Sequence, residues 1–131
     1  MIIQLDVLDH AILDEKNKCM IMLIIDSEDI WELPNLEGVS KLKKKKMVKD
    51  KNLEHLVCLN KKVENYIIYI QNNGIMKSFP NCDAPESYSY EIRVISNFQP
   101  SSDYLELINR INKYIKKTRN DIYISNEICI K

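Results

Sequence analysis

Residues 54–80, which read EHLVCLNKKVENYIIYIQNNGIMKSFP, decide the fold class of this chain. Apolar residues recur there at steps of three and four, which is the spacing of one face of an α-helix. The stripe consists of Leu56, Leu59, Val63, Tyr66, Ile67 and Ile70. We predict a helix over residues 53–71 that begins after Asn52 as N-cap. Gly74 ends it, because glycine tolerates the left-handed conformation, and Pro80 prevents the helix from resuming.

Two apolar runs precede this helix and predict a β-hairpin. Residues 10–14 and 19–25 are strand-like, and the polar segment 15–18 between them is typical of a turn. The second run is apolar at both alternating positions, so we expect it in the centre of the sheet with both faces covered or nearly so.

The segment after the helix predicts a strand, a helix and a strand. Residues 88–98 alternate, with Tyr88, Tyr90, Ile92 and Val94 on the buried side. The second helix carries the stripe Tyr104, Leu107, Ile108, Ile111, Tyr114 and Ile115. Residues 121–131 predict the last strand, with a bulge near 125–126.

Two strand–helix–strand units require parallel neighbouring strands. The sequence therefore predicts a single α/β (α+β-like) domain over residues 1–131. The element order is β-β-α-β-α-β, and the sheet is mixed and four-stranded with both helices on one face. The strand order stays open.

Residues 33–52 interrupt this pattern. Seven lysines lie between positions 41 and 51, and no apolar periodicity covers them. This composition predicts a lysine-rich loop insertion or a short exposed helix.

Composition narrows the class of protein. A chain of 131 residues forms one domain with a sizeable core, and 19 basic against 19 acidic residues argues against a dedicated nucleic-acid binder. The sequence shows no signal peptide and no apolar run of membrane-spanning length, so we expect no membrane partner and a cytoplasmic location. The four cysteines form no CxxC pair and are expected to be reduced and mostly buried.

Several of these residues together carry a resemblance to a known family. They are Asp14, the strand end 23–26, Trp31, the sequence Glu54-His55-Leu56, Lys61 or Lys62, the pair Asn65-Tyr66, Ile70, Gly74 and Pro80. The pattern resembles a small uncharacterised bacterial α/β family, a domain of unknown function. Its members have a strand pair, a tryptophan, a helix with His-Leu and Asn-x-Tyr, then Gly and an aromatic-Pro pair. Here Phe79 replaces the usual Tyr, and the lysine-rich segment looks like an insertion. The resemblance implies the fold and no activity.

An acidic cluster follows the predicted central strand. Asp26, Glu28 and Asp29, with Glu32, could hold a divalent metal in an enzyme, because the ends of strands in open α/β sheets are common ligand sites. The favoured interpretation is that these are solvated loop acids.

His55 and Cys58 share a helix face, but a zinc site would need two further ligands, for example His10 or Cys82. We therefore interpret His55 as a hydrogen-bonding or capping residue. Without a glycine-rich phosphate loop or a nucleophile elbow, we predict no catalytic residue, metal or cofactor.

These observations favour a non-enzymatic protein-binding module of the immunity or adaptor type. Its predicted partner-binding residues are Asp26, Glu28, Asp29, Trp31, Lys43, Lys44, Lys45 and Lys46. Association with nucleic acid through residues 41–51 is the first alternative, and a divalent-metal enzyme that uses residues 26–32 is the second. An exposed edge strand, for example the last one, could also pair two copies into a symmetric homodimer.

Overall fold

The computed structural model describes residues 10–27, 38 and 40–130 of the chain. Its strands are β1 His10–Asp14, β2 Cys19–Asp26, β3 Ser89–Ser96 and β4 Ile122–Ile128. Its α-helices are α1 Lys41–Gln71, α2 Ile75–Ser78 and α3 Ser102–Lys116, and a short 3₁₀ turn covers Pro85–Ser87. The predicted α+β fold in one domain is confirmed.

The four strands form one mixed sheet in the order β1-β2-β3-β4. Strand β2 pairs antiparallel with β1 and parallel with β3, and β3 pairs parallel with β4. The central position predicted for residues 19–25 is therefore confirmed. The predicted bulge is wrong, because Ser125 and Asn126 pair one to one with Arg93 and Val94 in an unbroken register.

One face of the sheet and both long helices enclose the core. The buried side chains include Met22 and Ile24 of β2, Ile92 and Val94 of β3, and Ile124 of β4. The helices contribute Leu59, Val63, Tyr66, Ile70, Tyr104, Ile108 and Ile115 to the same cluster. These residues confirm most of both predicted stripes. Tyr114 does not belong to the core, because 72% of it is exposed.

The opposite face of the sheet is partly covered. Ile21 and Leu23 are half-buried, and Glu91, which the alternation placed on the solvent side, is only 7% exposed. Arg93 places a guanidinium nitrogen 2.6 Å from Oε2 of Glu91. Partial burial and the neighbouring Glu91 carboxylate also raise the pKa of Tyr123 to about 12.

Helix α1 begins at Lys41 rather than at residue 53. Ser40 is its N-cap, since the Ser40 hydroxyl oxygen accepts a hydrogen bond of 3.2 Å from the backbone N–H of Lys43. Asn52 therefore lies inside the helix and is not its N-cap. Residues 41–52 form an exposed helix, so the predicted loop is wrong over these residues and the alternative of a helix is confirmed. No side chain of α1 before Leu59 is buried. We call residues 41–54 the lysine arm.

Helix α1 ends at Gln71, as predicted, but glycine is needed there for a different reason. The left-handed residue is Asn73, with φ of 59°, whereas Gly74 is right-handed, with φ of −59°. A Cβ at position 74 would overlap the Tyr69 ring, whose hydroxyl lies 2.5 Å from that of Ser78. Gly74 thus permits the close approach of this ring as α2 begins.

Candidate functional site

A cluster of polar and aromatic side chains lies at the carboxyl end of the parallel strands, at the edge where ligands of open α/β sheets bind. Two of its members, Asp26 and Tyr104, are buried. Asp26 is the last residue of β2, and its side chain is fully enclosed. His55 of α1 and Tyr104 of α3 point at it from the helix layer. Together with Phe98, these residues form what we call the Asp26 cluster.

The contacts in the Asp26 cluster are short and specific. Oδ2 of Asp26 accepts a hydrogen bond of 2.7 Å from the Tyr104 hydroxyl and lies 2.6 Å from Nε2 of His55. The rings of His55, Tyr104 and Phe98 pack edge to face, with centroids 5.5 to 5.6 Å apart. The carboxylate therefore joins the sheet to both helices.

A histidine held by a buried carboxylate is also an arrangement that enzymes use for proton transfer. Two groups near it, a thiol and a phenol, have raised pKa values. Burial, and then the charge of Glu54, raise the pKa of the Cys58 thiol. Burial, and then the charge of Asp26, raise the pKa of Tyr104. The contacts of Asp26 thus make the Asp26 cluster a joint between β2, α1 and α3.

The burial of Asp26 overturns its interpretation as a solvated loop acid. The signal was present in the strand, because Asp26 has the same parity as Met20, Met22 and Ile24, which are fully buried. Nothing local identified Tyr104 as its partner. The hydrogen-bonding role expected of His55 is confirmed, whereas a capping role is wrong because α1 begins 14 residues earlier.

A long groove runs over the outer side of the helix layer. It lies between α1 and α3, has a volume of about 700 Å³, and adjoins a second cavity of about 410 Å³ with which it shares Asn60, Glu64, Leu107 and Arg110. Its apolar lining includes Val63, Ile67, Ile68, Leu107, Ile111 and Tyr114. We call this surface the α1–α3 groove. Ile68 and Tyr114 are 47% and 72% exposed.

The rim of the α1–α3 groove carries separated charges. Asp103 and Glu106 lie at the end where α3 begins, whereas Lys113 and Lys117 lie near the end of α3. Arg110 pairs with Glu106 at 3.0 Å. Within the described part of the chain, Lys113 and Lys117 form no ion pair, so the end near them is the positive end.

The lysine arm is the second strongly charged surface. It carries seven lysines against Asp50 and Glu54, a local net charge of +5. Lys43, Lys45 and Lys46 are exposed and Lys44 is half-buried, so the arm presents these predicted partner residues at the surface. They lie outside the α1–α3 groove.

The structure does not place the other predicted site residues on either of these two surfaces. Glu28, Asp29 and Trp31 lie outside the described residues, as does Glu32. Asp26 is described, and its side chain is fully enclosed.

The described residues hold no group of three or more His, Cys, Asp or Glu side chains placed to bind a metal ion. The four cysteines are free thiols; three are half-buried, and Cys129 is exposed, contrary to expectation. Over the described ranges, the helices are all too short or too polar to cross a membrane.

The fold and these surfaces define a small α+β domain with a mixed four-stranded sheet and its helices on one face. The chain belongs to the family described as Family of unknown function (DUF6572), whose model matches residues 1–127. This match confirms the resemblance to a domain of unknown function. No curated protein and no solved structure matches the chain.

Proposed function

We propose that this protein is a cytoplasmic protein-binding module of the immunity or adaptor type, and that a partner docks in the α1–α3 groove. The observation that carries the proposal is the exposure of Ile68 and Tyr114 over an apolar floor. Large apolar side chains that line a concave surface are typical of interaction sites.

The shape of the α1–α3 groove favours an elongated occupant. Its lining on α1 extends from Asn60 to Gln71, which at about 1.5 Å per residue is roughly 16 Å, or three helical turns. Two helices frame it along this length. An amphipathic helix of a partner protein fits such a surface by placing apolar residues at steps of three and four.

The charges on the rim favour an acidic partner helix. Lys113 and Lys117 form no ion pair with any described residue, so acidic side chains of the partner would complete their pairing. Such pairs steer association and fix the direction of docking more than they add affinity. The partner is therefore expected to combine an apolar stripe with acidic residues near the end of α3.

Tyr114 and Ile68 are the residues expected to dominate the affinity. Truncation of a buried aromatic residue in an interface often weakens the binding free energy by about 2 kcal/mol or more, which corresponds to a loss of roughly 30-fold in affinity. A carboxylate at either position would place a charge on the apolar floor.

The test is co-purification with three forms of the tagged protein. The wild type is compared with Ile68→Glu/Tyr114→Glu and with Met76→Glu/Leu105→Glu, a matched control whose side chains are exposed but lie outside both the α1–α3 groove and the lysine arm. A stoichiometric partner that the wild type and the control retain and the groove variant loses supports the proposal.

Equal retention by the groove variant would show that docking occurs elsewhere. The immunity role has its own test. The product of a neighbouring gene, expressed with this protein, should be toxic only when the groove variant replaces the wild type. Toxicity that neither form relieves argues for an adaptor instead.

A further inference from the structure

We infer that the lysine arm is a second binding site, which takes the sugar-phosphate backbone of double-stranded DNA without regard to sequence. This inference is independent of the α1–α3 groove, since it concerns another surface and another class of ligand.

The arm concentrates positive charge on a chain that is neutral overall. Residues 41–54 carry a net charge of +5, so the other residues carry −5. Lys43, Lys44, Lys45 and Lys46 form no ion pair with a described residue, whereas Lys51 pairs with Glu54 at 3.8 Å. Overall neutrality therefore conceals a local field of the kind that attracts polyanions.

This charge has a cost for the helix that carries it. No acidic residue lies in the first turn of α1, where the positive end of the helix dipole would favour one. Lys41 and Lys45, and likewise Lys45 and Lys49, are four residues apart, so they repel each other on the helix surface. A bound polyanion would offset both unfavourable terms.

The distribution of the lysines around the helix selects the ligand. Lys43 to Lys46 are consecutive, and successive residues turn by about 100°, so they point in four directions around the axis. A helix that lies on a membrane needs one continuous apolar face, which Leu42, Met47 and Val48 do not make.

One face of the arm, with Lys44, Met47 and Lys51, is half-buried, whereas Lys43, Lys45 and Lys46 are exposed on its other sides. A helix with cationic exposed sides suits a groove with phosphates on both walls. The major groove of B-DNA admits an α-helix, whereas that of an RNA duplex is deep and narrow. The exposed lysines can neutralise phosphates, but the arm lacks arginine, and lysine alone makes few of the paired contacts that read bases. The site should therefore bind duplex DNA by charge and shape.

The experiment is fluorescence anisotropy with the full chain and a labelled DNA duplex of mixed sequence, from about 50 to 200 mM salt. Each phosphate contact contributes about −0.9 to the salt slope, so four lysines give a loss of roughly 150-fold over this range. Lys43→Ala/Lys44→Ala/Lys45→Ala/Lys46→Ala should lower affinity at least tenfold and make the slope shallower. Alanine is the best helix former, so circular dichroism should show the helix intact.

Two controls make the result specific. Lys16→Ala/Lys61→Ala/Lys77→Ala/Lys116→Ala removes the same charge from exposed positions outside the arm and should retain binding. An RNA duplex of the same sequence should bind more weakly than DNA.

Three outcomes would overturn the assignment of the arm to nucleic acid. These are unchanged affinity in the arm variant, an equal loss in the matched control, and polyglutamate that binds as tightly as DNA. The last would assign the arm to an acidic protein. RNA binding equal to DNA binding would refute docking in the major groove.

Discussion

Replacing Tyr104 with phenylalanine isolates the hydrogen bond at the centre of the Asp26 cluster. The substitution keeps the ring contacts with His55 and Phe98 and removes only the hydroxyl that donates to Oδ2 of Asp26 at 2.7 Å. A hydrogen bond to a charged group contributes about 1.5–3 kcal/mol, and here the acceptor is fully buried. We expect Tyr104→Phe to lower the free energy of unfolding by about 2 kcal/mol near neutral pH.

The same variant predicts a change with pH. Burial and Asp26 raise the pKa of Tyr104 in the folded state, so the folded protein keeps a proton that the unfolded chain releases above about pH 10. The contribution of Tyr104 is complete below that pH and falls by up to about 1.4 kcal/mol per pH unit above it. The difference in stability between wild type and Tyr104→Phe should therefore narrow above pH 10.

Urea unfolding followed by far-UV circular dichroism, at neutral pH and at steps above pH 9, measures both effects. Raised pKa values of Tyr88, Tyr90 and Tyr123 affect both proteins and cancel in the difference. Tyr114→Phe, on the same helix but exposed, is the matched control and should change neither quantity. A loss below about 0.5 kcal/mol, or a difference that stays constant with pH, would refute the assigned role of Tyr104.

Three further substitutions test other parts of the structure. Asn112→Ala removes a carboxamide that bonds both the N–H (2.7 Å) and the C=O (2.9 Å) of Ile124 on edge strand β4. We expect the free energy of unfolding to fall by about 1–3 kcal/mol and the freed edge to pair into dimers, which light scattering would detect. Asn109→Ala, at an exposed position of the same helix, should behave as the wild type. Gly74→Ala should lose about 1–3 kcal/mol in urea unfolding through overlap with the Tyr69 ring, and a loss that persists in full when Tyr69 is also Ala would exclude that cause. Ser40→Ala should fray the lysine arm at a cost of about 1 kcal/mol and speed its amide exchange, whereas Ser40→Asp should not, since aspartate also caps and suits the helix dipole; equal exchange in both variants would contradict the cap.

The edge of β4 also bears on self-association. The sequence suggested that the last strand could pair two copies, and β4 is indeed an edge strand. Asn112 occupies the backbone groups of Ile124 near the middle of that strand. A side chain of α3 thus satisfies groups that a second copy would need, which is one way in which proteins protect sheet edges.

The spacing of apolar residues in the sequence determined which faces of most strands and helices are buried. The alternation of Tyr90, Ile92 and Val94 and the helical spacing of Leu59, Val63 and Ile70 identify buried faces, because strands and helices repeat every 2 and about 3.6 residues. Helical spacing did not predict where α1 begins, since no side chain of the lysine arm is fully buried and the arm has no apolar period. Its signals were Ser40 and the helix propensity of lysine.

Tertiary structure alone decided which residues meet. His55 and Tyr104 lie 29 and 78 residues from Asp26 along the chain, and no local period encodes such distances. The strand order brings α1 and α3 to one face of the sheet, where the Asp26 cluster joins them at one end and the α1–α3 groove separates them on the outer side. The sequence by itself thus determined which faces are apolar, whereas the packing of distant elements decided which polar groups are buried together and which apolar residues stay exposed.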